Sequence, residues 1–97
     1  PYVAGRIDML FDRETLVAQN IDRAPSSYLE DIWFDSVVYN PGALELCIET
    51  SGPGNVMFGT DLPMSADVEA LYAVVDRLPA DQVKAIKAGT AQKVFGL

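Results

Sequence analysis

Hydrophobic residues recur along this chain with two different spacings, which separate the predicted helices from the predicted strands. Residues 1–20 carry apolar side chains three or four positions apart, and this spacing predicts an amphipathic helix. Residues 31–39 are rich in aromatic and β-branched side chains, and residues 55–60 hold a short apolar run between breakers, so both predict strands. Helical spacing returns in three stretches, which begin at Pro41, at Ser65 or Asp67, and at Asp81.

The predicted order is helix, strand, helix, strand, helix, helix, with Gly89 as the break between the last two segments. A strand–helix–strand unit places its two strands in parallel with a right-handed crossover. Both strands are apolar on two faces, which is typical of strands covered on both sides, yet two strands alone do not make a stable sheet. A (β/α)₈ barrel uses roughly 30 residues for each βα unit. We therefore predict an α/β fold: the last two βα units of a TIM barrel together with the preceding helix.

Length, composition and net charge limit the domain size, the classes of partner and the compartment that we expect for this chain. Its 97 residues suit a single domain, residues 1–97, and its 49% hydrophobic content is high for a free-standing unit of this size. A net charge of −7 without basic clusters argues against nucleic acid and anionic membrane surfaces as partners. No apolar run is long enough to span a membrane. The single cysteine, Cys47, suits a reducing compartment, so we expect a cytoplasmic protein in which Cys47 is a buried, inert thiol.

Histidine is absent from the sequence. The chain therefore cannot form a Ser-His-Asp or Cys-His arrangement, or a histidine-rich metal site, from its own residues. Asp61 follows the second strand, at the edge where α/β folds bind ligands, and Gly59 removes a side chain where that strand leaves the core. Two interpretations of Asp61 stay open: a turn residue or a functional carboxylate. Asp35 lies inside the first strand, where we expect a structural hydrogen-bond acceptor for a loop.

Two arginines stand out on the first predicted helix. Arg6 and Arg13 are seven residues apart, so they lie on nearly the same helix face. A solvated basic stripe is the simpler interpretation of this pair. The functional alternative is a clamp for a carboxylate or a contact between subunits.

Six segments of the chain carry a resemblance to a known family. They are Pro1–Ile7, Trp33–Ser36, Pro41–Leu46, Val56–Pro63, Ile86–Ala91 and Val94–Leu97. Together they resemble the amidohydrolase-related family, in particular its aminocarboxymuconate-semialdehyde decarboxylase-like metal-dependent enzymes. The resemblance covers nearly the whole chain. Its Gly-Thr-Asp-x-Pro motif, Gly59 to Pro63, is moderately specific by itself and gains specificity from its flanks.

The resemblance implies a fold and a site. The fold would be a TIM barrel of which this chain is the C-terminal portion, with strands seven and eight at residues 31–38 and 55–60 and the N-terminal portion before Pro1. Asp61 would be both the metal-binding and a catalytic aspartate, beside histidine or glutamate ligands on earlier strands that all precede Pro1. The cofactor would be a divalent metal ion, Zn²⁺ first and Mn²⁺ second. Arg13 lies near the place where the family carries an arginine that binds the substrate carboxylate across a homodimer interface.

Three functions remain open on these grounds. The leading one is a carboxy-lyase that decarboxylates a small unsaturated or aromatic carboxylic acid, with this segment inactive by itself. A metal-dependent hydrolase or hydratase on the same scaffold is the second, because a fold does not determine the chemistry. The third is a non-enzymatic acidic interaction module, which predicts that the 97 residues fold alone.

Overall fold

The computed structural model describes residues 1–13, 16–64 and 67–97. Its helices and strands are α1 (Ala4–Arg13), β1 (Phe34–Asp35), α2 (Pro41–Ser51), β2 (Val56–Met57), α3 (Val68–Val75), α4 (Ala80–Lys84) and α5 (Thr90–Phe95). Three 3₁₀ segments at Val17–Asn20, Pro25–Asp31 and Pro53–Asn55 connect them, and a π-helical turn at Ala85–Gly89 joins α4 to α5. None of the helices in these described ranges is long and apolar enough to cross a membrane.

The described residues form a parallel two-stranded sheet. Phe34 pairs with Val56 and Asp35 with Met57, so the predicted parallel pairing is confirmed. The strands are much shorter than the predicted ranges 31–39 and 55–60. The reason is that strand length depends on pairing partners. After Met57 the backbone N–H groups of Phe58 and Gly59 donate to the Ile86 carbonyl and the Ser36 hydroxyl instead of to a neighbouring strand.

The first helix is shorter than its spacing predicts. Helix α1 ends at Arg13 instead of continuing to residue 20, and a 3₁₀ segment occupies Val17–Asn20. None of the side chains of α1 is buried, so the amphipathic pattern finds no core to pack against within the described residues. The helix packs mainly against the Pro25–Asp31 segment, where Ser26 N donates to Asp8 Oδ1 at 2.8 Å.

Local signals set the start of α2 and of α3, as predicted, and also the end of α2. The Asn40 side chain accepts a hydrogen bond from Ala43 N at 3.2 Å, and Pro41 occupies the first turn of α2. Gly52 ends α2 with a φ of +89°, a conformation that glycine adopts without strain. Asp67 caps α3 through its side chain, which accepts from Ala70 N at 2.9 Å. Of the two predicted starts of α3, Asp67 is therefore confirmed, and Ser65 lies outside the described residues.

The prediction that Gly89 breaks the C-terminal helix is wrong. Gly89 has helical angles, φ −59° and ψ −43°, and the backbone stays helical from Ala80 to Phe95. The irregularity is a π-turn, in which the Thr90 N–H donates to the carbonyl of Ala85, five residues earlier. The helix then ends at Gly96, whose φ is +67°.

The hydrophobic core lies where α2, α3 and the C-terminal helix pack against the sheet. Its buried residues are Leu44, Ile48, Val56, Val74, Val75 and Ile86. The prediction that the first strand is covered on both faces is not met within the described residues, since Trp33 is 53% exposed. The accessible surface is 6544 Å², whereas a compact monomer of 10.5 kDa exposes roughly 5,400 Å². The radius of gyration, 15.4 Å, also exceeds the about 13 Å of a compact 100-residue domain.

Candidate functional site

Asp61 lies just past the C-terminal end of β2, on an exposed turn. Its φ is +54°, a left-handed conformation that aspartate tolerates better than most non-glycine residues. The turn is closed by Met64 N, which donates to the Asp61 carbonyl at 2.8 Å. Within the described part of the chain, the Asp61 carboxylate makes no hydrogen bond or ion pair. Asp61 is thus a turn residue whose carboxylate is available to a ligand, so the two interpretations from the sequence are compatible.

Gly59 lets the exit of β2 approach the end of β1 closely. A Cβ atom at Gly59 would lie 2.9 Å from Asp35 Cβ and 3.2 Å from Val37 Cγ2. Both distances are shorter than an ordinary carbon–carbon contact of about 3.5–4.0 Å. The prediction that Gly59 removes a side chain at the strand exit is confirmed, and the contact determines how near the β2 exit, two residues before Asp61, lies to the end of β1.

Asp35 lies at the same edge of the sheet as Asp61. It is exposed, and its Oδ1 accepts a hydrogen bond from Val37 N at 2.8 Å. This bond closes the turn that follows β1. The prediction that Asp35 is a structural acceptor for a loop is confirmed.

Arg13 is placed at the C-terminal end of α1, and both Arg13 and Arg6 are exposed, as a solvated stripe requires. Helix α1 is held through Asp8, whose carboxylate accepts from Ser26. Hydrogen bonds from the Ser26 side chain and backbone hold the pKa of Asp8 below its ordinary value. Helix α1 packs mainly on the Pro25–Asp31 segment, and no hydrogen bond or ion pair joins Arg13 to Asp61 within the described residues.

An apolar groove of about 500 Å³ runs along β1 and α2. It is lined by Pro1, Tyr2, Trp33, Phe34, Asp35, Val38, Ala43, Leu46 and Cys47. Asp61 is not among these residues, so the groove is not a substrate pocket built around that carboxylate. Cys47 is half-buried and lines the groove, so the predicted burial of its thiol is only partial.

A metal ion needs more ligands than Asp61 supplies. The described residues contain no group of three or more histidine, cysteine, aspartate or glutamate side chains that could hold one. Asp61 nevertheless fits as one ligand, because an exposed carboxylate that makes no hydrogen bond within the described residues is a suitable oxygen donor for a divalent cation. A complete metal site would need further ligands from outside the described residues.

Comparisons with known proteins identify the family. The sequence profile of the Amidohydrolase family matches residues 1–97. The chain belongs to the amidohydrolase family. The resemblance found in the sequence motifs is therefore confirmed, and the Gly59–Pro63 segment carrying Asp61 is part of the match.

Solved and curated amidohydrolase relatives are similar over most of this chain. It is 38% identical over 64 residues, 65% of its length, to the 2-amino-3-carboxymuconate-6-semialdehyde decarboxylase of Caenorhabditis elegans. The structure of IDCase from Metarhizium anisopliae matches 99% of the chain with a TM-score of 0.83 at 26% identity. The 5-carboxyvanillate decarboxylase LigW of Sphingomonas paucimobilis matches 100% of it with a TM-score of 0.85 at 25% identity. The chain spans 16% of the curated relative and 31% and 30% of these two structures.

The sequence did not reveal how the β2 exit is anchored. Phe58 N donates to the Ile86 carbonyl at 2.8 Å, and Gly59 N donates to Ser36 Oγ at 3.3 Å. Ser36 is fully buried. The only available signal was a small polar residue inside an apolar stretch, which does not by itself identify a partner 23 residues away.

Proposed function

We propose that this chain belongs to a metal-dependent carboxy-lyase that decarboxylates a small unsaturated or aromatic carboxylic acid. The observation that carries the proposal is the Asp61 carboxylate, which has no hydrogen-bond or ion-pair partner among the described residues, at the carboxyl edge of a parallel strand pair in an amidohydrolase. That edge is where barrel enzymes bind ligands. Two of the relatives, a carboxymuconate-semialdehyde decarboxylase and a carboxyvanillate decarboxylase, support decarboxylation as the reaction.

The proposed fold is a single TIM-barrel domain of which residues 1–97 form the last two βα units and the helix before them. The free outer edge of β1, the exposed Trp33 and Tyr2, and the excess accessible surface all support a partner for this face. The remainder of the barrel is the proposed partner, because nearly the whole of this chain is matched while it covers less than one third of each solved relative. If the chain were instead an independent acidic module, the isolated 97 residues would show a cooperative thermal transition.

Asp61 is proposed to be one ligand of a divalent cation, with Zn²⁺ the first candidate and Mn²⁺ the second. Such a cation supplies a water of lowered pKa and polarises a substrate oxygen. The chain's own contribution is the Asp61 carboxylate, which can take up a proton from water and give it to the substrate carbon, where the new C–H bond replaces the C–C bond to the carboxylate that leaves as CO₂. Its placement on a short turn beside β2 gives the carboxylate a defined position.

Arg13 is proposed to bind the substrate carboxylate across a homodimer interface. An exposed guanidinium is a bidentate partner for a carboxylate, and its exposure at the end of α1 leaves it available to a second subunit. Arg13→Gln in the complete protein should raise KM for the acid, whereas Arg6→Gln on the same helix face should not. Equal KM values for the Arg13 and Arg6 variants would contradict a substrate-binding role for Arg13.

The reaction is tested on the complete protein with a panel of unsaturated and aromatic carboxylic acids. The expected result is release of CO₂ that stops when a chelator removes the metal and resumes when Zn²⁺ is restored. Consumption of amide or ester substrates, or hydration without CO₂, would identify a hydrolase or hydratase and contradict the carboxy-lyase proposal.

A further inference from the structure

The backbone between β2 and Asp61 is held by two hydrogen bonds that do not belong to the sheet. The strand ladder stops at Met57, and Asp61 lies four residues further on. Phe58 N donates to the carbonyl of Ile86 at 2.8 Å, and Gly59 N donates to the hydroxyl oxygen of Ser36 at 3.3 Å. These two consecutive N–H groups therefore have partners on opposite neighbours, the C-terminal helix and the end of β1.

The π-turn explains why the Ile86 carbonyl can serve the strand. In a regular α-helix the Thr90 N–H would donate to the Ile86 carbonyl, four residues earlier. Here the Thr90 N–H donates to Ala85 instead, and the Ile86 carbonyl accepts from Phe58. Single π-turns inside α-helices occur frequently at functional sites.

Ser36 is the side chain in this anchor that can be altered without changing a backbone group. It is 0% exposed, and it directly follows the last paired residue of β1. Its hydroxyl accepts from Gly59 N and so links the two chain segments just beyond the last paired residues of the sheet. A buried N–H group that lost this acceptor would have to move to find another.

We propose that Ser36 is a positioning residue for Asp61: its buried hydroxyl accepts from Gly59 N–H and fixes the backbone two residues before the carboxylate. This inference rests on the proposed metal-binding role of Asp61. Groups that orient a metal ligand without touching the metal typically change metal affinity by about 10–100-fold. Because Ser36 acts through the backbone, we expect the lower end of that range.

The test measures Zn²⁺ affinity of the complete protein by competition with a chromophoric chelator. Ser36→Ala should weaken Zn²⁺ binding roughly tenfold and shift the visible absorption of the Co²⁺-substituted protein. Ser51→Ala is the matched control, because Ser51 is also buried and its hydroxyl donates to the Cys47 carbonyl at 2.8 Å, at the far end of α2. That variant should lose stability without a change in Zn²⁺ affinity.

If the Ser36→Ala variant does not accumulate, Ser36→Cys provides a second test of the positioning role. The thiol fills nearly the same space and is a weaker acceptor, so an intermediate loss of Zn²⁺ affinity is expected. Ser36 variants that change only the unfolding midpoint, as expected for Ser51→Ala, would overturn the inference and make Ser36 purely structural.

A further variant, Asp61→Asn, separates the two levels of the argument. Loss of Zn²⁺ binding in Asp61→Asn with unchanged affinity in Ser36→Ala would overturn only the positioning role. Unchanged Zn²⁺ binding in Asp61→Asn would overturn the proposed metal site and the positioning role with it.

Discussion

Gly59→Ala tests the close approach that brings Asp61 to the end of β1. The added Cβ would lie 2.9 Å from Asp35 Cβ, about 0.6 Å inside the shortest ordinary carbon–carbon contact. Asp35 Cβ is attached directly to the β1 backbone and cannot rotate away. The strand exit therefore has to move, and overpacking of this kind costs about 1–3 kcal/mol.

The measurement is the free energy of unfolding of the complete protein in urea, with Gly54→Ala as the matched control. No described residue comes within 4 Å of a Cβ at Gly54, and its φ is not positive. Alanine there should be neutral or stabilise by roughly 0.4–1 kcal/mol through the unfolded chain. Gly59→Ala should also weaken metal binding, since the displaced segment carries Asp61. If the Gly59 variant matched the Gly54 variant in both stability and metal affinity, the steric reasoning would be refuted.

Three further substitutions test the packing, capping and pH dependence of the same structure. Leu44→Ala empties a core position that is 1% exposed and should cost about 2–5 kcal/mol in urea unfolding; Leu97→Ala, at 85% exposure, should cost much less, and similar losses would contradict the core assignment. Asp67→Ala removes the α3 cap and should cost about 1 kcal/mol of stability, whereas Asp67→Asn should keep most of that stability. The pKa of Asp8 is lowered by Ser26, so its contribution to stability is present above the unfolded pKa and is lost as pH falls through the lowered folded pKa. Asp8→Ala should therefore destabilise at neutral pH and match the parent in acid, and a difference that grew on acidification would count against this.

Local residue chemistry predicted the parts of the fold that depend on neighbours in sequence. Asn40 and Pro41 start α2 and Gly52 ends it, because caps and left-handed turns are decided within a few residues. Asp67 starts α3 for the same reason. The parallel pairing was also predictable, since a strand–helix–strand unit allows little else.

Interactions between distant residues explain where prediction from sequence failed. The lengths of β1 and β2 depend on neighbouring strands, and no spacing rule shows that the Phe58 N–H pairs with Ile86. That long-range bond accompanies the π-turn, which replaced the expected break at Gly89. The placement of Asp61 just past the end of β2 was predictable from the apolar run that precedes it. The hydrogen bond from Gly59 N to the buried Ser36 hydroxyl was not predictable, because the two residues are 23 positions apart.

The metal content of the complete protein with Asp61→Asn is the most direct test of the central claim, that Asp61 is a metal ligand. Asp35→Asn is the control, because Asp35 lies at the same edge but its Oδ1 is engaged by Val37 N, and an amide oxygen can still accept that bond. We predict that Asp61→Asn loses most of the bound metal and the proposed decarboxylation activity, while Asp35→Asn keeps its metal. Full metal occupancy and turnover in Asp61→Asn would contradict the assignment.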